Sequence, residues 1–209
     1  MTDGAAHQSS GDLDERDAPP EPIELFGAWR EEARRVGEPR PDATVLATAG
    51  KDARPSARVV MLRDATDRGF VFYTNYESRK GIEMAENPWA SMVLYWPRCD
   101  RQVRIEGPVE RLSPEESDAY FQGRPRESRI EAWASPQSQV VSSRAWLERR
   151  WKQRADRNSE SVHRPPWWGG YRLRQMVIEF WQQDPHRMHD RLLYRRQDEG
   201  GWTLERLAP

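Results

Sequence analysis

Arg187, His189 and Arg191 alternate near the end of the chain, within the segment from Phe180 and Trp181 to Arg191. The flanks Val177-Ile178 and Leu192-Leu193-Tyr194 favour extended structure, which predicts that the three cationic side chains project from one strand face. Two guanidiniums and an imidazole held that close repel one another, so they call for an anion, either a ligand or acidic side chains. Asp190 falls on the opposite face and is poorly placed to supply it. The alternative is a solvated, arginine-rich edge strand.

Other residues suggest anion chemistry too. In Tyr73-Thr74-Asn75-Tyr76-Glu77-Ser78-Arg79-Lys80, a strand runs through a turn into a helix start. Helix N-terminal N–H groups, the Ser78 hydroxyl and two first-turn cations form a phosphate cradle, although the helix dipole disfavours cations there. Arg58 and Arg63 bracket an apolar run, and their spacing puts them on opposite faces of a straight strand. Gln102 opens an alternating strand, where an inward amide could meet a ring carbonyl or a backbone group. Tyr120 and Arg124 lie one turn apart at a helix end with Ser128 just beyond, a set that reads as a second phosphate clamp or as a solvated terminus. Gln137 and Ser138 add polar groups in a loop. Two phosphate cradles beside aromatic surface suit a phosphorylated cofactor and a phosphorylated substrate.

The elements that must position these groups follow from periodicity. Phe26, Trp29, Ala33 and Val36 recur at helical spacing between Pro22 and Gly37. Stretches 44–49, 57–62 and 70–74 read as strands joined by short turns, which implies antiparallel pairing. A short helix is expected from Ser78 to Asn87-Pro88, then strands over 90–96 and 102–109. Ser113-Pro114-Glu115-Glu116 announces a helix running to Gln122, and 139–156 has a second helical pattern. The last strands are expected at 171–182, 187–196 and 201–206. Six or seven strands in hairpin order with inserted helices suggest an antiparallel barrel, mainly β with peripheral helices.

The chain has 209 residues and a net charge of -1, which suits one domain and argues against a general nucleic-acid binder. One cysteine excludes an internal disulfide, and no Cys/His spacing indicates a metal site. Residues 1–21 read as a disordered tail with no signal-peptide pattern, and no stretch reaches membrane-spanning length. The expectation is a cytoplasmic protein with no membrane or nucleic-acid partner. No nucleophile elbow or Ser/His/Asp order supports hydrolysis.

Taken together, these blocks resemble the pyridoxamine 5′-phosphate oxidase family. The resemblance covers about residues 22–209 and rests on Arg58–Leu62, Phe72–Lys80, Asn87-Pro88, Arg101–Val103, Arg124–Ser128, Ala132–Ser138, Trp168–Tyr171, Phe180-Trp181, Arg187–Arg191 and Arg206–Pro209. It implies an FMN-binding split β-barrel in a single domain over 22–209, and a homodimer with FMN at the subunit interface. By motif position, Arg58, Val59, Val60, Met61, Leu62, Arg63, Tyr73, Thr74, Ser78, Arg79 and Lys80 would hold FMN, with Gln102, Gln137, Ser138, Trp181 and Arg191. Tyr120, Arg124, Ser128 and Arg63 would grip the substrate phosphate, and Arg187 and His189 would lie against the pyridine ring as the catalytic pair. The implied reaction oxidises pyridoxamine or pyridoxine 5′-phosphate to pyridoxal 5′-phosphate, with dioxygen reduced to hydrogen peroxide. Two positions depart from the pattern: Arg63 stands where lysine is common, and the tail lacks an Arg-x-x-Tyr element. Asn87–Ser91 and Leu94–Trp96 are similar to the phenazine-biosynthetic flavin oxidases, and a noncatalytic flavin- or pyridoxal-phosphate-binding split barrel is the other alternative.

Overall fold

The computed structural model describes residues 13–157 and 162–209. In chain order the elements are α1 (Pro22–Arg35), β1 (Ala43–Ala49), β2 (Pro55–Met61), β3 (Asp64–Thr66), β4 (Gly69–Asn75), α2 (Arg79–Glu86), β5 (Trp89–Trp96) and β6 (Arg101–Arg111). These are followed by α3 (Pro114–Gln122), α4 (Arg126–Ala134), α5 (Arg144–Arg157), β7 (Trp168–Leu173), β8 (Val177–Gln182), β9 (Asp190–Arg196) and β10 (Trp202–Arg206). The described residues fall into two compact units. One comprises 13–41, Leu94–Arg104 and Val177–Pro209; the other Asp42–Val93 and 105–176 without the undescribed stretch. β5 and β6 each contribute residues to both, and the chain also passes from one to the other at 41–42 and 176–177.

In the first unit α1 buries Phe26, Trp29 and Ala33, the stripe expected from their spacing. Trp29 meets Phe180 edge-on at 5.2 Å, and Phe180 meets Tyr194 at 5.7 Å. Strands β8, β9 and β10 pair antiparallel in sequence order. Residues 13–21 are tied down: Leu13 is buried, Arg206 bonds the Glu15 carboxylate and the Leu13 carbonyl, and the Tyr194 hydroxyl donates to the Pro19 carbonyl. Disorder up to residue 21 therefore does not hold from Leu13 onward, and residues 1–12 lie outside the described residues.

In the second unit β1 pairs antiparallel with β2 and with β5, while β4 pairs with β3 and β7, and β7 with β6. Leu46, Leu62, Phe70, Phe72, Met84 and Met92 are fully enclosed. Against Phe121, Ile130 and Trp168 pack Tyr73, Tyr120 and Trp133. Three expectations need correction here. The strand expected over 171–182 is two strands, because residues 174–176 leave the ladder to bond Pro108 and Glu106 carbonyls, and the chain crosses so closely over Gly107 that a Cβ there would lie 1.9 Å from the Arg174 carbonyl oxygen. The helix α4 was not anticipated; Pro125 occupies its N-cap after Gly123-Arg124 break α3. The helical pattern expected from 139 begins only at Arg144. Among the described residues no helix is long and apolar enough to cross a membrane.

Candidate functional site

The β1–β2 hairpin sets Thr48 directly opposite Ser56, and Leu46 opposite Arg58. Because strand side chains alternate, Ser56 and Arg58 share a face. The Arg58 guanidinium donates to the Thr48 and Ser56 hydroxyls and, at 3.2 Å, to the Leu46 carbonyl. From β4 the chain turns into α2 through Asn75, whose side-chain oxygen accepts the Glu77 N–H at 2.7 Å; Ser78 then caps the helix by accepting from Gly81. Lys80, in the first turn, folds inward: its ammonium donates to Thr74 and Ser78 at 3.1 Å and to Gln137 at 2.8 Å. Burial, reinforced by Arg58, pulls its pKa down to about 8.

A cleft of about 550 Å³ is lined by Arg58, Val59, Val60, Met61, Arg63, Tyr73, Thr74, Arg79, Lys80, Tyr120, Arg124, Gln137 and Ser138, all anticipated from sequence, with Ser56, Ala57 and Trp168. Arg58 and Arg63 line the same cleft rather than opposite faces, since β2 ends at Met61 and Arg63 follows the strand. Beyond the α2 group, aromatic rings form a stack. Tyr73 and Tyr120 lie 3.7 Å apart at 8°, and Tyr73 and Trp168 5.6 Å apart. The stack needs glycines: a Cβ at Gly170 would fall 2.9 Å from the Tyr73 ring and closer still to Leu112. Two guanidiniums cover these rings, Arg124 over Trp168 at 4.4 Å and Arg63 over Tyr120 at 5.9 Å. One Arg124 terminal nitrogen is buried with no hydrogen-bond partner, and burial pulls the guanidinium's pKa down. Such a donor calls for an acceptor.

Leu62 and Ser128 do not reach the cleft wall. Leu62 is buried in the core, and Ser128, beyond the end of α3 as expected, stands in the first turn of α4.

Gln102, Trp181, Arg187, His189 and Arg191 belong to the other unit. The single strand face expected for Arg187, His189 and Arg191 is not formed, because β9 begins at Asp190. Asp184 is the cause: its carboxylate accepts the N–H groups of His186 and Met188, a local turn that displaces the ladder and puts Arg187 at φ 64°. His189 Nδ1 accepts the Asp184 N–H at 3.1 Å, which leaves Nε2 to carry the proton of the neutral ring, and the imidazole lies 5.0 Å from Trp181. Arg191 sits opposite Trp181 and donates to Glu179 at 2.8 Å and to the Ala208 carbonyl at 2.9 Å. Glu179, with Arg104 also at 3.1 Å, supplies the acidic partner for Arg191 alone of the three. An acidic residue inside the apolar run 177–181 was the signal for it. Gln102 is half-buried in β6.

Residues 30–157 match the family described as pyridoxamine 5′-phosphate oxidase, and residues 168–209 match the pyridoxine 5′-phosphate oxidase C-terminal dimerisation region. The chain belongs to the pyridoxamine 5′-phosphate oxidase family. A pyridoxine/pyridoxamine 5′-phosphate oxidase of Burkholderia vietnamiensis is 52% identical over 100% of this chain and 99% of its own length, and one of Paraburkholderia phymatum is also 52% identical with the same coverage. Among solved structures, PhzG from Burkholderia lata 383 in complex with tetrahydrophenazine-1-carboxylic acid is 35% identical, with TM-score 0.90 over 96% of this chain and 100% of that one. A pyridoxamine 5′-phosphate oxidase-related, FMN binding protein of Nostoc punctiforme, 20% identical, has TM-score 0.71 over 90% of this chain and 98% of that one. The fold is therefore the antiparallel split barrel of FMN-binding proteins, as expected.

FMN is the cofactor of this family of oxidases and of this chain. The donor set fits it: Arg58, Arg79 and Lys80 line the cleft with cations that would suit a phosphate monoester, while Gln137 and Thr74 offer polar groups beside an aromatic wall. Sequence reading missed Thr48, Ser56 and Glu83 in this group. Glu83 bonds Arg79 at 2.7 Å from one turn along α2, a pairing that spacing alone could have revealed.

Proposed function

We propose that this chain oxidises pyridoxine or pyridoxamine 5′-phosphate to pyridoxal 5′-phosphate as a homodimer with FMN between its subunits. The observation that carries this reading is the second cation group. Arg63 and Arg124 stand over Tyr120 and Trp168, apart from the Arg58, Arg79 and Lys80 group in composition and partners, and Arg124 keeps a buried donor unspent. A cleft with one cationic group for the cofactor phosphate has a use for the second only if its substrate also carries an anion.

The chemistry FMN supplies when bound is removal of a hydride equivalent from the substrate C4′ carbon, with dioxygen then reduced to hydrogen peroxide. The protein's part is orientation and charge. Arg124, Arg63 and Tyr120 hold the substrate phosphate, with Ser128 assigned there by the resemblance alone. Arg187 and His189 are assigned to the substrate ring on the same ground, and Gln102, Trp181 and Arg191 to the flavin. With its Nδ1 engaged by the Asp184 N–H, the His189 ring offers Nε2 as a hydrogen-bond donor.

The likeness to PhzG supports a second reading, oxidation of a reduced phenazine carboxylic acid. Anaerobic mixing of the FMN-loaded protein with each substrate separates the two. Bleaching of the flavin by pyridoxine 5′-phosphate, and not by tetrahydrophenazine-1-carboxylic acid, is the expected result. The reverse pattern would transfer the chain to phenazine chemistry, and no bleaching by either would leave a binding protein. Arg124→Ala should raise KM for the B6 phosphate about tenfold or more while leaving FMN affinity in place.

A further inference from the structure

The cation group at α2 encloses a carboxylate to which nothing above gives a role. Glu83 is nine-tenths buried. One oxygen accepts from Arg79 Nε at 2.7 Å; the other accepts from the Thr48 hydroxyl at 2.5 Å, the Ser56 hydroxyl at 2.6 Å and Arg58 at 3.3 Å. A hydroxyl has a single proton. Thr48 and Ser56 each spend theirs on Glu83, so each turns its lone pairs to Arg58, which donates to both. An ionised Glu83 thus fixes the direction of the Thr48 and Ser56 bonds that orient the Arg58 guanidinium, and only the bond to the Leu46 carbonyl is independent of it. Burial pushes the Glu83 pKa up, but the four donors outweigh it and set it at about 2. With Arg58, Arg79 and Lys80 counted against this one carboxylate, the group keeps a double positive charge, the complement of a phosphate monoester dianion.

We infer that Glu83 is the positioning residue of this cradle: it locks Arg58 and Arg79 in the orientation that receives the FMN phosphate, and so makes the protein select FMN over riboflavin. The inference rests on the reading that Arg58, Arg79 and Lys80 hold that phosphate. Two effects oppose each other when the carboxylate is neutralised. Repulsion of the phosphate is relieved, which favours binding, but the network is broken. In Glu83→Gln either amide orientation points an N–H at a donor, towards Arg79 one way and towards Thr48, Ser56 and Arg58 the other. Loss of orientation dominates because no rotation of the amide restores all four bonds.

The test is titration of the flavin-stripped full chain with FMN and with riboflavin, followed by flavin fluorescence. Glu83→Gln should weaken FMN about tenfold or more and leave riboflavin within about twofold. Ser56→Ala, which removes one relay and leaves the carboxylate, should weaken FMN about threefold with riboflavin unchanged, and it carries the test if the first variant does not fold. Equal losses for both flavins would reduce Glu83 to structural support, and unchanged or tighter FMN binding would show that repulsion dominates; either result overturns the inference. Lys80→Met separates the two levels. If it lowers the FMN preference and Glu83→Gln does not, only the role of Glu83 fails; if it leaves the preference intact, the phosphate is held elsewhere and the inference falls with that reading.

Discussion

Lys80 is where burial and binding pull in opposite directions. Its pKa is brought down to about 8 by burial and by Arg58, with Glu83 acting the other way. Between about 8 and the ordinary lysine value, the unfolded chain holds a proton that the folded, flavin-free chain has released. The unfolded state then binds more protons, so this group makes the flavin-free protein more stable as pH rises through that window. With Lys80 in the proposed phosphate site, FMN affinity should run the opposite way: from pH 8 upward it should fall by up to about tenfold per pH unit, and Lys80→Met should flatten that slope. Fluorescence titrations across pH 7 to 9.5 would check both, and a pH-independent wild type would remove Lys80 from the phosphate site. Arg63 has a different dependence, on shape. Its guanidinium lies 5.9 Å from the Tyr120 ring centroid, and Arg63→Lys keeps the charge but loses the planar fork of donors, so KM for the B6 phosphate should rise about two- to fivefold with FMN affinity unchanged. At this scale the cations and Tyr120 were legible because motif spacing marks them. Thr48 and Ser56 were not, since their meeting with Glu83 depends on strand register and on the helix packed beside it.

Helix α3 shows what local chemistry can fix by itself. Ser113 accepts the Glu116 N–H at 3.1 Å while the Glu116 carboxylate accepts the Ser113 N–H at 3.0 Å, the reciprocal cap expected from the Ser-Pro-Glu-Glu run. Ser113→Ala should cost about 1 kcal/mol, read in urea as a lower midpoint at constant slope. Glu116 is also held by Arg172 at 3.0 Å, and its pKa is lowered by the Ser113 N–H and then by that arginine. Glu116→Ala should therefore cost more than the Ser113 change; equal losses would show that the tie to β7 contributes nothing. Where elements are set by local competition rather than a cap, sequence reading slipped. The strand pattern 187–196 is real only from Asp190, because the Asp184 carboxylate offers nearby N–H groups a turn instead. Helix α4 follows a proline cap with no side-chain bond to announce it.

At the scale of the whole molecule, hydrophobic periodicity located the strands but could not say which distant segments share a core. Nothing local in α1 reveals that Trp29 meets Phe180, and nothing in the alternation of β5 or β6 shows that each ends in a different unit from the one in which it begins. Surface composition is more telling. Val45 and Val59 face each other across the β1–β2 ladder with 40% and 64% of their surfaces exposed, on a hairpin whose opposite face buries Leu46 completely. A paired apolar surface on the last two strands of a sheet is costly to leave in water. The proposed placement of FMN between subunits, in a cleft that Val59 lines, points to a second copy of this chain as its cover. Val45 does not line the cleft, so its replacement tests assembly without touching the flavin directly. Val45→Lys would place an unpaired ammonium in that contact, at a cost of several kcal/mol. Sedimentation should then shift from twice the chain mass to the chain mass at micromolar protein, with FMN affinity falling alongside. A variant that stays dimeric would locate the interface on another face. A variant that becomes monomeric yet keeps its FMN affinity would place the cofactor within one subunit.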